Sequence, residues 1–161
     1  MSRIVKTTYL IGLGSNLGDR AAYIEQALDA LRAHGEVEAV SPVVSSPAWG
    51  SDSRHDYLNA CARFRWAGSP ADTWALIEAT EHAAGRVRTV PNADRTLDMD
   101  ILWWSEGIHL RDGLTIPHPQ LHRRDFVLHG VQTVAPEAVH PVLGQPFAAI
   151  RAPRSTIHAT S

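Results

Sequence analysis

Between residues 57 and 66 apolar and polar positions alternate. Leu58, Ala60, Ala62, Phe64 and Trp66 fall on one face, and Tyr57, Asn59, Cys61, Arg63 and Arg65 on the other. A period of two over that length predicts a strand with its first face toward a core. Residues 4–13, IVKTTYLIGL, are β-branched and apolar and predict an earlier strand that ends in a Gly-rich turn, GLGSNLGD. Asp19 is placed to cap a helix over about 20–33, where Ile24, Ala27, Leu28 and Leu31 make one apolar stripe and Gly35 supplies the stop. Residues 37–46, VEAVSPVVSS, predict a strand broken at Pro42, and the Pro, Gly and Ser of SPAWGSDSRHD predict irregular backbone after it.

Further along, GSPADTWALIEATEHAAG carries the marks of a helix. Ser69 caps it, Pro70 occupies the first turn, Asp72 complements the dipole and Gly85 ends it. Its core stripe reads Leu76, Ile77, Thr80, Ala83 and Ala84, which leaves Glu78 and Glu81 together on a different face. Residues 97–104 predict another strand, with SEG turning the chain toward IHL as a hairpin partner. PHPQLHRRDFVLHGVQTVAPE predicts a proline-rich loop and then a helix that stops before Pro136, and the last ten or so residues are small, polar and expected to fray. Helices set between hairpin-like strand pairs, without strict βαβα alternation, predict an α+β fold with a mainly antiparallel sheet. With no internal repeat or low-complexity linker, residues 1–161 are expected to form a single domain.

Composition narrows the class. A chain of 161 residues, 44% apolar and 20% charged, has the make-up of a globular domain. Its formal net charge of −2 argues against general nucleic-acid binding. Cys61 is the single cysteine, so neither a disulfide framework nor a Cys-based zinc site is available, and a reducing cytoplasm is expected. The N-terminal stretch lacks the apolar core and cleavage site of a signal peptide, and no apolar run reaches membrane-spanning length. Lys6 is the only lysine, which excludes a P-loop and leaves Lys6 alone as a Schiff-base candidate.

The chemistry concentrates in RTLDMDILWW. Asp98 and Asp100, two apart in a strand, point the same way. Two like charges about 6 Å apart at an effective dielectric near 20 repel by roughly 3 kcal/mol, so something cationic is expected between them. A solvated edge strand is the plain alternative; a Mg²⁺ site completed by water and substrate phosphate is the functional one. Arg86, Arg88 and Arg95 flank the pair in sequence, and Arg123 and Arg124 follow the PHP loop. Acids that hold metal, combined with several guanidiniums, suit a polyphosphate. Tyr57 and Asn59, near Pro47, Trp49 and Gly50, suit a flat heterocycle. GLGSNLG has neither dinucleotide nor Walker spacing and reads as a strand-to-helix turn. His118, between two prolines, is better placed to contact phosphate or order its loop than to bind zinc with His122.

GLGSNLGDR, SSPAWG, DYLNA, GRVR, RTLDMDIL, TIPHPQL and RRDFVL occur in that order, and over residues 8–140 the chain resembles the 6-hydroxymethyl-7,8-dihydropterin pyrophosphokinases of folate biosynthesis. The resemblance implies a three-layer α/β/α sandwich with a ferredoxin-like core. It implies transfer of diphosphate from ATP to the pterin hydroxymethyl oxygen with release of AMP. Asp98 and Asp100 would hold two Mg²⁺ ions. Tyr57 and Phe126 would stack on the pterin, with Asn59, Ser46, Pro47 and Trp49 reading its edge. Glu78, Glu81, Arg86, Arg88, Arg95, Ile101, Thr115, His118 and Arg124 match nucleotide-contacting positions, and Arg86, Arg88 and Arg95 join the aspartates as catalytic positions. The chain departs from the family pattern at Asn92, within the NAD that stands where Trp-Gly-Pro is usual, at Glu78 for a glutamine, at Gly113 for an arginine and at Ala48 for a proline. A paralogue acting on another heterocyclic alcohol and a non-catalytic pterin or nucleotide binder are the alternatives. The expected partners are these small molecules, with no nucleic acid and no membrane, and the expected state is a monomer.

Overall fold

The computed structural model describes residues 5–46, 56–85 and 96–151. β1 (Thr7–Ser15) leads into α1 (Arg20–His34), where the Asp19 side chain accepts from Ala22 N and Ile24, Ala27, Leu28 and Leu31 are buried. β2 (Glu36–Val40) and β3 (Val44–Ser46) are separated at Pro42, as a proline that cannot donate to a ladder demands. β4 (Tyr57–Trp66) follows, then α2 (Pro70–Ala83), whose capping box is reciprocal: Ser69 Oγ accepts from Asp72 N and Asp72 accepts from Ser69 N. β5 (Asp98–Trp104) and α3 (Asp125–Val134) complete the main elements.

The sheet runs β2-β4-β1-β5, antiparallel throughout, with β3 paired to β4 beyond β2's stretch. Leaving β3 aside, that is the β-α-β-β-α-β order of a ferredoxin-like unit. Each face of the sheet carries its own core. Tyr9, Ile11, Leu13, Ala62, Phe64, Met99 and Ile101 pack with the α1 stripe and Ile77 of α2. On the opposite face Leu10, Cys61 and Leu102 pack with Leu128, Val131 and Val134 of α3 and with Phe147. Helices therefore cover the sheet on both sides, giving three layers. Among the described residues no helix is long and apolar enough to cross a membrane.

Four local expectations change. The Gly-rich stretch is no turn at Gly12 and Gly14, which continue β1; the chain bends only at residues 17–19, where Gly18 takes φ 75°. The face of β4 that bears Cys61 is not surface but the second core, with Cys61 2% exposed. IHL is no hairpin partner of β5: His109 forms a bridge with Ile116, while Ser105 N donates to Thr8 O. Glu81 does not share an outer face with Glu78; it is 1% exposed, alongside Ile77 and Thr80, whereas Glu78 and Ala83 are exposed. The last residues, 152–161, lie outside the described ones.

Gly35 ends α1 for a reason that sequence spacing does not reveal. Its φ of −165° is extended backbone open to any residue. A Cβ there would stand 2.6 Å from both Arg65 O and Trp66 Cβ, so the glycine is needed for the close approach of helix end to β4.

Candidate active site

The registers of β1 place two glycines at the centre of the site. Gly12 lies opposite Cys61 on β4 and Asp100 on β5; Gly14 lies opposite Asn59 and Asp98. All six therefore share one face of the sheet, with the glycines in the middle strand. The glycines keep side chains of their own out of that row, walled by Tyr57 and Asn59 on one flank and the two aspartates on the other, with the Leu102 side chain lying against Gly12. A glycine inside a strand often marks such a close approach. α3 closes the space from above with Phe126, Val127 and Gly130, and the resulting cavity of about 220 Å³ also takes in Ser46, Leu102 and Arg124.

The heterocycle-like wall is held by hydrogen bonds. Asn59 Nδ2 donates to Ser46 Oγ at 2.6 Å and, more weakly, to Tyr57 O at 3.4 Å. With the amide nitrogen so engaged, Oδ1 is the atom turned toward Gly14, where a Cβ would lie 3.4 Å from it. The wall presents an acceptor to any N–H that enters. Ser46 is buried at the end of β3, opposite Tyr57 in the register.

The acidic wall is half-buried. Asp98 and Asp100 alternate with buried Met99 and Ile101, which anchor β5 in the first core. Behind them, Glu81 Oε2 accepts from Met99 N at 2.9 Å. Arg124 and His118 come from the segment before α3. Arg124 is its N-cap residue and lines the cavity. His118 donates its backbone N–H to Leu102 O at 2.9 Å, and its Nδ1 accepts from Gln120 N at 3.1 Å. Burial first, and then the Arg124 charge, hold the His118 imidazole below the ordinary histidine range, against a smaller opposing pull from Asp98. A neutral ring with Nδ1 accepting carries its proton on Nε2, leaving one N–H to offer.

The structure thus brings Ser46, Tyr57, Asn59, Phe126, Asp98, Asp100 and Arg124 around one cavity, with His118 close enough to Asp98 and Arg124 to feel their charges. Pro47, Trp49, Arg86, Arg88 and Arg95, with Ala48 and Asn92, lie outside the described residues. Ile101 has its side chain in the core, so it faces a ligand only through backbone. Thr115 and Glu78 are exposed and Glu81 is buried behind β5; none of the three belongs to the cavity wall. Gly113 takes φ 72° in the turn after Asp112, and a Cβ added there would meet nothing within 4 Å. Sequence reasoning passed over Gly12, Gly14, Cys61 and Gly130. The available signal was the pair of glycines two apart at the end of an apolar strand, on the face that the aspartates also use.

Comparison with known proteins identifies the family of the whole domain. The family described as 7,8-dihydro-6-hydroxymethylpterin-pyrophosphokinase matches residues 10–136. A 2-amino-4-hydroxy-6-hydroxymethyldihydropteridine pyrophosphokinase of Aquifex aeolicus is 32% identical over 87% of this chain and 88% of its own. One from Synechocystis is 36% identical over 84% of this chain and 70% of its own. The folic acid synthesis protein fol1 of Schizosaccharomyces pombe is 30% identical, this chain spanning 20% of its length. Among solved structures, Plasmodium falciparum HPPK-DHPS with pteroate aligns with 92% of this chain at a TM-score of 0.67 and 13% identity, a likeness of fold. The present chain spans 42% of that longer one. Matched over most of its length by this family and by named pyrophosphokinases, the chain is an enzyme and belongs to the 7,8-dihydro-6-hydroxymethylpterin-pyrophosphokinase family.

Proposed function

We propose that the protein transfers the β,γ-diphosphate of ATP to the hydroxymethyl oxygen of 6-hydroxymethyl-7,8-dihydropterin, as a cytoplasmic monomer in folate biosynthesis. The observation that carries this reading is the cavity in which Asn59 and Asp98 face each other across Gly14. In the reaction the acceptor hydroxyl loses its proton, a bond forms between its oxygen and the β-phosphorus, and the bond from that phosphorus to the α,β-bridging oxygen breaks, releasing AMP.

Asn59 Oδ1 accepts from the pterin N–H edge, Tyr57 and Phe126 hold its faces, and Ser46 fixes the amide, with Pro47 and Trp49 completing the edge. Asp98 and Asp100 offer hard oxygen donors side by side, a donor set that suits Mg²⁺. Among the described residues no cluster of three or more His, Cys, Asp or Glu side chains is placed to hold an ion. Two carboxylates would leave the rest of an ion's coordination to water and substrate phosphate, and the family resemblance implies two such Mg²⁺ ions. When bound, Mg²⁺ neutralises the phosphate oxygens and makes the acceptor hydroxyl more acidic. Arg86, Arg88, Arg95 and Arg124 spread the remaining charge, and His118 Nε2–H donates to a phosphate oxygen. Glu78, Thr115 and the Ile101 backbone contact the nucleotide. Such chemistry needs positioning and charge neutralisation more than a strong base.

The deciding experiment is nucleotide analysis after mixing pure protein with MgATP and the dihydropterin. AMP formed in step with a pterin diphosphate, and only with both Mg²⁺ and pterin present, is the expected result. ADP would mean single phosphoryl transfer and a different mechanism. Pterin binding without nucleotide turnover would favour a binder or an enzyme for another alcohol.

A further inference from the structure

We propose that Glu81 is a positioning residue that aims Asp98 and Asp100, rather than a nucleotide contact; this rests on the metal role proposed for the pair. Among the described residues β5 is an edge strand whose one strand partner is β1; on its other side His118 N donates to Leu102 O. On the β1 side the pairing of Asp98 with Gly14 and Asp100 with Gly12 fixes its register. The other side would leave a backbone N–H unpaired between the two aspartates. That N–H belongs to Met99, and Glu81 Oε2 receives it at 2.9 Å. The Met99 nitrogen is part of the peptide plane that carries the Asp98 carbonyl, so holding it sets the direction of the Asp98 Cα–Cβ bond. β5 is thus clamped from both edges at the point where its acids project.

The clamp is rigid because its support is. Glu81 sits in the last turn of α2, which is pinned at its start by the Ser69–Asp72 capping box and along its length by buried Thr73, Ile77 and Thr80. Placing a carboxylate at 1% exposure is costly unless its oxygens are satisfied. An alanine or leucine would fill the helix more cheaply but would leave Met99 N–H buried without an acceptor. Groups that orient metal-binding side chains from behind typically change metal affinity about 10- to 100-fold when removed.

Four proteins test this: wild type, Glu81→Ala, Glu81→Gln and Asp98→Ala, with Glu81→Met in place of the alanine variant should that one not fold. Met99 amide exchange is followed by NMR, and Mn²⁺ affinity is measured in the presence of α,β-methylene-ATP. The expected result is that Glu81→Ala exchanges Met99 about tenfold faster and binds Mn²⁺ about tenfold more weakly, with pterin affinity unchanged. Glu81→Gln, which keeps an acceptor oxygen, restores both. Unchanged exchange and metal affinity in Glu81→Ala overturns the proposal. So does a glutamine variant that protects Met99 yet binds metal as poorly as alanine, because charge and not the hydrogen bond would then be responsible. Mn²⁺ bound as tightly by Asp98→Ala as by wild type would instead overturn the underlying metal assignment, a failure that the exchange rates keep separate.

Discussion

Asn59 Nδ2 donates to Ser46 Oγ at 2.6 Å, tying the middle of β4 to the end of β3 and turning the amide oxygen into the cavity. Removing the hydroxyl frees the amide to rotate without emptying the wall. Ser46→Ala is expected to raise the KM for the pterin about five- to tenfold, the value of one net hydrogen bond, with little change in kcat. Asn59→Ala loses the acceptor itself and should cost more than Ser46→Ala. Steady-state kinetics on both decide it; equal effects would mean that Ser46 does more than orient Asn59.

Asp98→Ala should lower turnover by about a hundred- to a thousandfold while pterin affinity, read by fluorescence or calorimetry, changes little. Asp98 and Asn59 stand on opposite walls with Gly14 between them, so binding on one does not need the other. Unaltered AMP release in this variant would remove the acids from the mechanism.

Gly35→Ala tests a packing constraint remote from the site. A new Cβ would sit 2.6 Å from Arg65 O and Trp66 Cβ and 2.9 Å from Phe64 Cε1, and backbone cannot yield as a side-chain tip does. Overpacking of this kind costs about 1–3 kcal/mol, which for a domain of this size lowers Tm by about 3–10 °C. A calorimetric Tm within a degree of wild type would show that the helix end can shift at no cost.

His140 makes stability depend on pH. It is buried, with Nδ1 accepting from Val142 N and Leu143 N, each at 3.2 Å. Burial, and then His122 beside it, hold its imidazole below the ordinary range. The unfolded chain therefore takes up a proton near pH 6.5 before the folded chain does, and stability falls as pH drops through that window. Above it the contribution is fully present; below the folded value no further loss follows. Urea unfolding at pH 7.5 and 5.5 should show the decline, and His140→Asn should lessen it. An identical decline in the variant would assign the effect to other groups, His118 among them.

Much of this protein is written locally. The alternation at 57–66, the Asp19 and Ser69 caps and the break at Pro42 are decided within a few residues, and each stands where the sequence puts it. The shared face of Asp98 and Asp100 is likewise a consequence of strand periodicity alone. What periodicity cannot supply is the partner. Gly12 and Gly14 look like turn residues until β4 and β5 are laid on either side of them, and only the registers set them between the two walls. Glu81 looks like a surface acid at i+3 from Glu78, yet in the fold it is buried at the edge of β5, where its Oε2 accepts Met99 N–H. Cys61 shares its face with arginines, yet α3 covers it. In each case the side chain's character is fixed by the chain, but its burial is a property of which distant strand or helix arrives, since hydrogen bonds and apolar contacts across the sheet form only when both sides are present.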